Sequence, residues 1–365
     1  MNFSIKQFRR KVFPISTKHY QSEYAYPLRF PRVVHIENTN ACPSRCIMCP
    51  MDSMSRPSGV MSIELFEKLI RECSKYPEVE SVHLHGFGEP LIDKNLPQKT
   101  ALAKKLGIQN TYIVTTGSLL TAKTARELII AGLDGIKFSF YGMTKATYES
   151  IHRRLNFENS VKNIEMFFGI RDELKAPNPM VRFQFSRSLA PKDEYVQFIN
   201  HWLPFMDQDR GDIFLTTGLH NWAGGKNYTE ISTPEDRRHC IWPFHDIQIL
   251  WDGRVSPCVF DFDGTYILGN VNDMRIQEIW KSEQYCNLRK SWNQKCSNDI
   301  DICKKCDEPE GIFSPEPSEE SYQPISRGIL SHNQILNRKI KKTTKMIFHD
   351  LIVTVNNKSG NKYLL

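Results

Sequence analysis

Cys42, Cys46 and Cys49 place three thiols within eight residues, and Cys240, Cys258, Cys303 and Cys306 add four more further along the chain. Thiolates grouped in this way ligate zinc or iron-sulfur clusters. Three cysteines on a four-iron cubane leave one iron open to a substrate or cofactor. Three cysteines with a fourth ligand such as His35 or His85 close a structural zinc site instead. The later group, Cys240-x17-Cys258 followed by Cys303-x2-Cys306, supplies four thiolates and is chemically complete for either zinc or a 4Fe-4S cluster. Cys73 and Cys286 fall within helical patterns and read as packing thiols. Cys296 reads as a replacement ligand or a stray thiol.

The ten cysteines do not read as a disulfide framework. Met1 to Pro14 carries Lys6, Arg9, Arg10 and Lys11 without the apolar core of a signal peptide, so a cytoplasmic location with reduced thiols is expected. No stretch approaches the ~18 uninterrupted apolar residues of a membrane helix. The net charge of +7 belongs to the last 41 residues, where eight basic residues face the single acid Asp350. The rest of the chain is neutral, which argues against a nucleic-acid partner.

Elements that can position the thiols follow from periodicity. Six short apolar runs, Val33–Glu37, Ser81–His85, Asn110–Thr115, Gly135–Phe140, Met180–Ser186 and Asp212–Thr216, predict buried parallel strands. Helical patterns at Met61–Lys75 (capped by Ser62), Thr121–Leu133, Phe157–Leu174 and Pro191–Met206 lie between them. The result is an α/β fold with a parallel sheet, either open or curled into a partial barrel, whose chemistry belongs at the loops after the strands' C-terminal ends. Beyond about 217 the pattern changes. Asp246–Trp251 and Arg254–Val259 flank Asp252-Gly253, a hairpin signal. The expected divisions are an arm at 1–32, the repeating unit at 33–220, a small cysteine-rich α+β domain at 221–315, and a linker with a basic tail at 316–365. In that tail Ile347–Val355 is a candidate edge strand.

The segment Cys42-Pro43-Ser44-Arg45-Cys46-Ile47-Met48-Cys49-Pro50, directly after the first strand, resembles the cluster motif of the radical S-adenosylmethionine enzymes. Gly86-Phe87-Gly88-Glu89-Pro90 after the second strand is similar to that family's Gly-Gly-Glu-Pro segment. Thr115-Thr116-Gly117 and Phe138-Ser139-Phe140-Tyr141-Gly142 are similar to its segments after the third and fourth strands. Cys240-Ile241-Trp242-Pro243, Asp252-Gly253-Arg254-Val255-Ser256-Pro257-Cys258, Leu268-Gly269-Asn270-Val271 and Ile279-Trp280-Lys281-Ser282 resemble signatures of SPASM and Twitch domains. The resemblance spans about residues 33 to 310.

It implies a partial (β/α)6 TIM-like barrel with a 4Fe-4S cluster on Cys42, Cys46 and Cys49, and one auxiliary 4Fe-4S cluster on Cys240, Cys258, Cys303 and Cys306. It implies that S-adenosylmethionine is bound by Gly86, Gly88, Glu89 and Pro90, with Thr116, Ser139 at the ribose and Met48 against adenine. Arg182 points away from Val181, Phe183 and Phe185 and is a candidate for a cofactor or substrate carboxylate. Reductive cleavage would yield a 5'-deoxyadenosyl radical that takes hydrogen from an unactivated carbon. The expected electron donor is external, of flavodoxin or ferredoxin type. The expected substrate is a small polar metabolite, a sugar or amino sugar, contacted by Arg182, Tyr141, Trp222 and Tyr228. A ribosomally made peptide is the alternative, against which the 32 residues before the first strand look too few for a peptide-recognition domain. A structural zinc scaffold is the alternative of another class.

Overall fold

The computed structural model describes residues 28–186, 188–226, 240–294 and 299–307, with the backbone of two strands at Thr354–Asn356 and Lys362–Leu364. The six predicted strands form as β1 (Val33–Ile36), β2 (Ser81–His83), β3 (Thr111–Thr115), β4 (Gly135–Ser139), β5 (Met180–Ser186) and β6 (Ile213–Thr217). They lie parallel and in chain order across one sheet. Helices fill the crossovers: α1 (Ile63–Cys73), α2 (Leu96–Lys105), α3 (Ala122–Ile130), α4 (Lys145–Ile151), α5 (Phe157–Glu173) and α6 (Lys192–Trp202).

The helix starts follow capping chemistry. The side chains of Ser62, Thr121, Thr144 and Asn156 accept from the backbone N–H three residues on. α6 ends at Trp202, four residues short of the expected stop. Pro204 lacks the N–H to continue it, and a short 3-10 turn at Leu203–Phe205 follows. α2 is absent from the expected helices because the face it buries includes Lys99 and Thr100, which breaks the apolar period. Lys99 is satisfied there by Asp93 at 2.7 Å and the Met61 carbonyl at 2.6 Å.

The hairpin around Asp252-Gly253 extends this sheet. β7 (Asp246–Ile249) pairs parallel with β1, from Val33↔Asp246 to Ile36↔Ile249. β8 (Arg254–Ser256) and β9 (Gly269–Asn270) then pair antiparallel outside it. β1 would otherwise be an open edge of unpaired backbone groups. The strand order runs from β9 to β6 without closing, giving an open partial barrel. Among the described residues the cysteine-rich region adds the helices α7 (Trp242–His245), α8 (Ile276–Trp280), α9 (Glu283–Asn293) and α10 (Asp301–Lys304). It is anchored by Arg289, whose guanidinium lies 4.0 Å from the Trp280 ring and 4.1 Å from the Tyr285 ring.

The two faces of the sheet differ. Val34, Ile36, Val82, Ile113, Ile136, Phe138, Val181, Phe183, Phe185, Ile247 and Ile249 are buried in the apolar core. Strand alternation sends His35, His83, Tyr112, Lys137, Arg182 and Gln248 to the other side, the barrel interior. Gly135 is required there, because a Cβ would stand 2.6 Å from the Tyr112 ring. The tail strands Thr354–Asn356 and Lys362–Leu364 pair with each other. Tyr228, Cys296 and most of the apolar run at 347–355 lie outside the described residues.

At the N-terminal end of β6, Asp212 receives both guanidinium nitrogens of fully buried Arg171, at 2.8 and 2.6 Å, and the backbone N–H groups of Val181 and Asp207. Asp212→Ala strands a buried cation. It is expected to cost about 3–5 kcal/mol in chemical denaturation, whereas an exposed control such as Glu173→Ala costs under about 1 kcal/mol.

Candidate functional site

The loop leaving β1 carries Cys42, Cys46 and Cys49, all partly buried. Arg45–Cys46 forms a two-residue ribbon with His152–Arg153 at the end of α4, so the crossover after β4 fixes the middle of the loop. The thiols lie close enough to raise one another's pKa, but burial is the larger cause and pushes each up to about 12. A bound metal reverses that tendency, since coordination deprotonates a thiol. Among the described residues no three His, Cys, Asp or Glu side chains converge as they would around a single ion. Thiolates on a four-iron cluster stand at separate corners.

Cys46 Sγ has two close polar neighbours, Ser44 Oγ at 3.0 Å and His152 Nδ1 at 3.2 Å. The Tyr141 backbone N–H donates to His152 Nε2 at 3.2 Å, which makes Nε2 the acceptor and puts the ring proton on Nδ1, facing the sulfur. Burial depresses the His152 pKa to about 3, so the ring stays neutral. Sequence reasoning missed His152. It lies 106 positions from Cys46, and no local spacing relates the two.

The other expected cofactor residues sit at the same end of the sheet. Gly88 has φ +102° and packs on the cysteine loop, where a Cβ would lie 2.6 Å from the Thr39 carbonyl and 2.7 Å from that of Ala41. Glu89 accepts from Thr115 Oγ1 at 2.6 Å, from Thr116 N and Oγ1 at 3.0 Å, and from Leu91 N at 3.3 Å. Four donors fill the lone-pair sites of a carboxylate. Glu89 therefore ties the Gly86–Pro90 loop to the end of β3. Thr116 is engaged with Glu89. Ser139 ends β4 on the interior face. Gln184 donates to the Tyr141 hydroxyl at 2.8 Å, and the Tyr141 ring stacks on His152 with centroids 5.1 Å apart. Arg182 lies one pleat below, its guanidinium 4.8 Å from the Tyr112 ring. Met48 packs against the core, and its carbonyl accepts from Trp222 Nε1 at 2.7 Å.

Cys240, Cys258, Cys303 and Cys306 line one cavity whose walls are otherwise apolar, including Trp242, Pro257, Phe260 and Trp292. Burial drives Cys240 and Cys258 well above an ordinary thiol pKa, reinforced by the other cysteines of the group. Four thiols lining one apolar pocket fit the separate corners of a cluster. Cys73 is buried in the core, and Cys286 lies on α9 apart from the cavity. His35 is engaged elsewhere, with Nε2 2.6 Å from Asp246 Oδ2.

Residues 36–171 match the profile of the Radical SAM superfamily, and residues 240–307 match that of SPASM, an iron-sulfur cluster-binding domain. The chain belongs to the radical SAM superfamily and carries a SPASM domain. This radical SAM enzyme is 23% identical over 317 residues to the tungsten-containing aldehyde ferredoxin oxidoreductase cofactor-modifying protein of Pyrococcus furiosus, covering 76% of this chain and 89% of that one. It is 22% identical over 276 residues to the S-adenosyl-L-methionine-dependent 2-deoxy-scyllo-inosamine dehydrogenase of Niallia circulans, covering 75% and 92%. Its fold is shared with BtrN in complex with AdoMet and 2-DOIA (TM-score 0.53, 20% identity, 76% and 93% covered) and with Streptococcus suis SuiB bound to the precursor peptide SuiA (0.58, 14%, 74% and 69%). The radical SAM and SPASM domains imply 4Fe-4S clusters, and solved relatives of this fold bind AdoMet. Among the described residues no helix is long and apolar enough to cross a membrane.

A hydrogen bond to a ligating sulfur stabilises the reduced cluster. His152→Phe is expected to move the reduction potential of the radical SAM cluster to more negative values in an EPR-monitored titration. His152→Gln, which keeps an N–H donor, should recover part of the shift.

Proposed function

We propose that this radical SAM enzyme oxidises or rearranges a small polar metabolite of the sugar or amino-sugar kind, taking a hydrogen atom from an unactivated carbon. The supporting observation is the barrel interior. A closed (β/α)8 barrel fills this space with branched apolar side chains. Here His83, His85, Tyr112, Lys137, Arg182 and Gln184 surround it with hydrogen-bonding groups, beneath the loops that bear Cys42 and Gly86. A molecule rich in hydroxyls finds partners there that an apolar one would leave unpaired. The inosamine dehydrogenase relative favours the same kind of substrate.

In this reading Cys42, Cys46 and Cys49 hold the radical SAM cluster, and Cys240, Cys258, Cys303 and Cys306 hold a single auxiliary cluster. The chemistry supplied with S-adenosylmethionine bound is reductive cleavage to methionine and a 5'-deoxyadenosyl radical, driven by an external donor of flavodoxin or ferredoxin type. The chain's own part is placement. Gly88 lets the backbone close on the cofactor loop, Glu89 and Thr116 hold two loops in register, and Ser139 offers a hydroxyl at the end of β4. Phe87 and Trp222, with ring centroids 5.3 Å apart, add apolar cover that limits water.

The test is 5'-deoxyadenosine formation, followed by mass spectrometry after anaerobic reconstitution with S-adenosylmethionine and dithionite. Wild type is expected to form it and Cys46→Ala to lose it entirely. Cys258→Ala should retain roughly four irons per chain, about half the wild-type content. Zinc uptake without iron in the wild type would defeat the reading.

A further inference from the structure

Lys137 stands on the interior face of β4, between its register partners Val114 on β3 and Arg182 on β5. It is only partly buried, so its side chain reaches the interior space. Among the described residues its amine has no hydrogen bond or ion pair, and nothing acidic lies close enough to hold a charge on it. The groups that share its field are His83 and His85, from β2 and the loop after it, His220, from the segment after β6, and Arg182. Burial keeps the three imidazoles neutral and holds His85 and His220 down at about 3. Burial also acts on Lys137 and, with the charge of Arg182 beside it, lowers its pKa to about 8. At pH 7.4 about a fifth of such amines are neutral, against about one in a thousand for an ordinary lysine near 10.4. Desolvation beside another cation is one way in which proteins turn a lysine into a nucleophile.

We propose that Lys137 captures the carbonyl group of an aldehyde or ketone substrate as an imine. The neutral Nζ adds to the carbonyl carbon, both N–H protons leave with the oxygen as water, and C=O is exchanged for C=N without any change of redox state. Hydrolysis reverses the step and frees the bound molecule. The inference rests on the barrel interior being the substrate chamber, and it selects within the proposed class a sugar that presents a free carbonyl, as an open-chain aldose or ketose does. Ser139 ends β4 beside the cofactor loops, and Lys137 is two residues lower on the same strand, about 6.6 Å further in. A covalent anchor there holds a flexible polyol at one depth below the cofactor, where loose binding would leave it many positions.

The test is reductive trapping. The reconstituted protein is incubated with glyceraldehyde and sodium cyanoborohydride, and the alkylated lysines are located and timed by peptide mass spectrometry. Lys123, whose side chain is 83% exposed, is the internal reference, and propanal is the probe of equal carbon count without hydroxyls. At pH 7.4 Lys137 should be alkylated at least tenfold faster than Lys123, at a rate that rises with pH through about 8 and saturates with glyceraldehyde concentration. Propanal should lose most of that preference, and unfolding in urea should abolish it. Lys137→Arg, with wild-type iron content, should lose the fast phase of labelling of the intact protein. Alkylation of Lys137 no faster than that of Lys123, a rate that stays linear in glyceraldehyde, or an equal preference with propanal would each overturn the proposal. A wild type that forms 5'-deoxyadenosine yet shows no preferential trapping at Lys137 fails here alone. One that traps the aldehyde in this manner but never cleaves the cofactor supports the amine site and fails the proposed function.

Discussion

Glu37, fully buried at the exit of β1, organises the loops on which the chemistry depends. Its two oxygens receive both terminal nitrogens of Arg56, at 2.6 and 2.5 Å, a bidentate charge-assisted pair. The same carboxylate accepts the backbone N–H of Phe87 and of Trp251, each at 3.2 Å. Arg56 in turn donates to the Phe262 carbonyl at 2.7 Å, and Asp263 receives the N–H groups of Ser55 and Arg56. One buried pair thus joins the return of the cysteine loop, the glycine-rich loop and the hairpin of the SPASM region. Buried pairs seldom add net stability, because desolvation offsets the attraction. What this pair supplies is a fixed geometry, since each of its four hydrogen bonds must be met or left buried and unpaired. Gly86 belongs to the same arrangement, for a Cβ there would stand 2.7 Å from that of Glu37.

The strands were legible because a buried parallel strand announces itself locally, as four to seven apolar and β-branched residues bounded by polar ones. All six lie within two residues of their predicted limits, and the Ser62 cap forms as expected. Cys42, Cys46 and Cys49, and the pair Cys303 and Cys306, were legible for a similar reason, their spacing being short enough to see. What escaped is long-range and polar. Nothing in Val33–Ile36 or Asp246–Ile249 declares that they pair, so the hairpin was expected inside a separate domain and not as the continuation of the barrel sheet. Arg171 with Asp212, Lys99 with Asp93 and His152 with Cys46 each bury a charge or a ring nitrogen against a partner that only the fold supplies. Glu89 shows the limit from the other side. The motif drew attention to it, yet the four donors that also make it a brace between loops could not be read from the motif.

The division of labour between the faces of the sheet explains how one fold combines an apolar core with a polar interior. The outer face is closed by helices through a continuous apolar core, which includes aromatic contacts such as Phe183 stacked on Trp202 at 4.6 Å. That core needs nothing from the interior side. The interior carries His83, Tyr112, Lys137 and Arg182, whereas buried Lys99 and Arg171 on the helices are each paired with an aspartate. Apolar packing and polar groups are thus assigned to alternate residues of the same strands, Phe138 to the core and Lys137 to the interior.

The segment after β6 brings the two cysteine regions together. Trp222 and Ala223 both have φ of +53°, a conformation that costs non-glycine residues about 1–3 kcal/mol each and persists only where the surroundings impose it. The impositions are visible on both sides. Trp222 Nε1 donates to the carbonyl of Met48, the residue before Cys49. Asn221 donates to the carbonyl of Lys305, between Cys303 and Cys306, and its backbone N–H reaches Asp307. A strained loop thus spans from one thiol group to the other, with His220 close enough to feel the charge of Lys137. Displacement of either cysteine region would pull on the same few hydrogen bonds, so the geometry of this loop depends on both being in place.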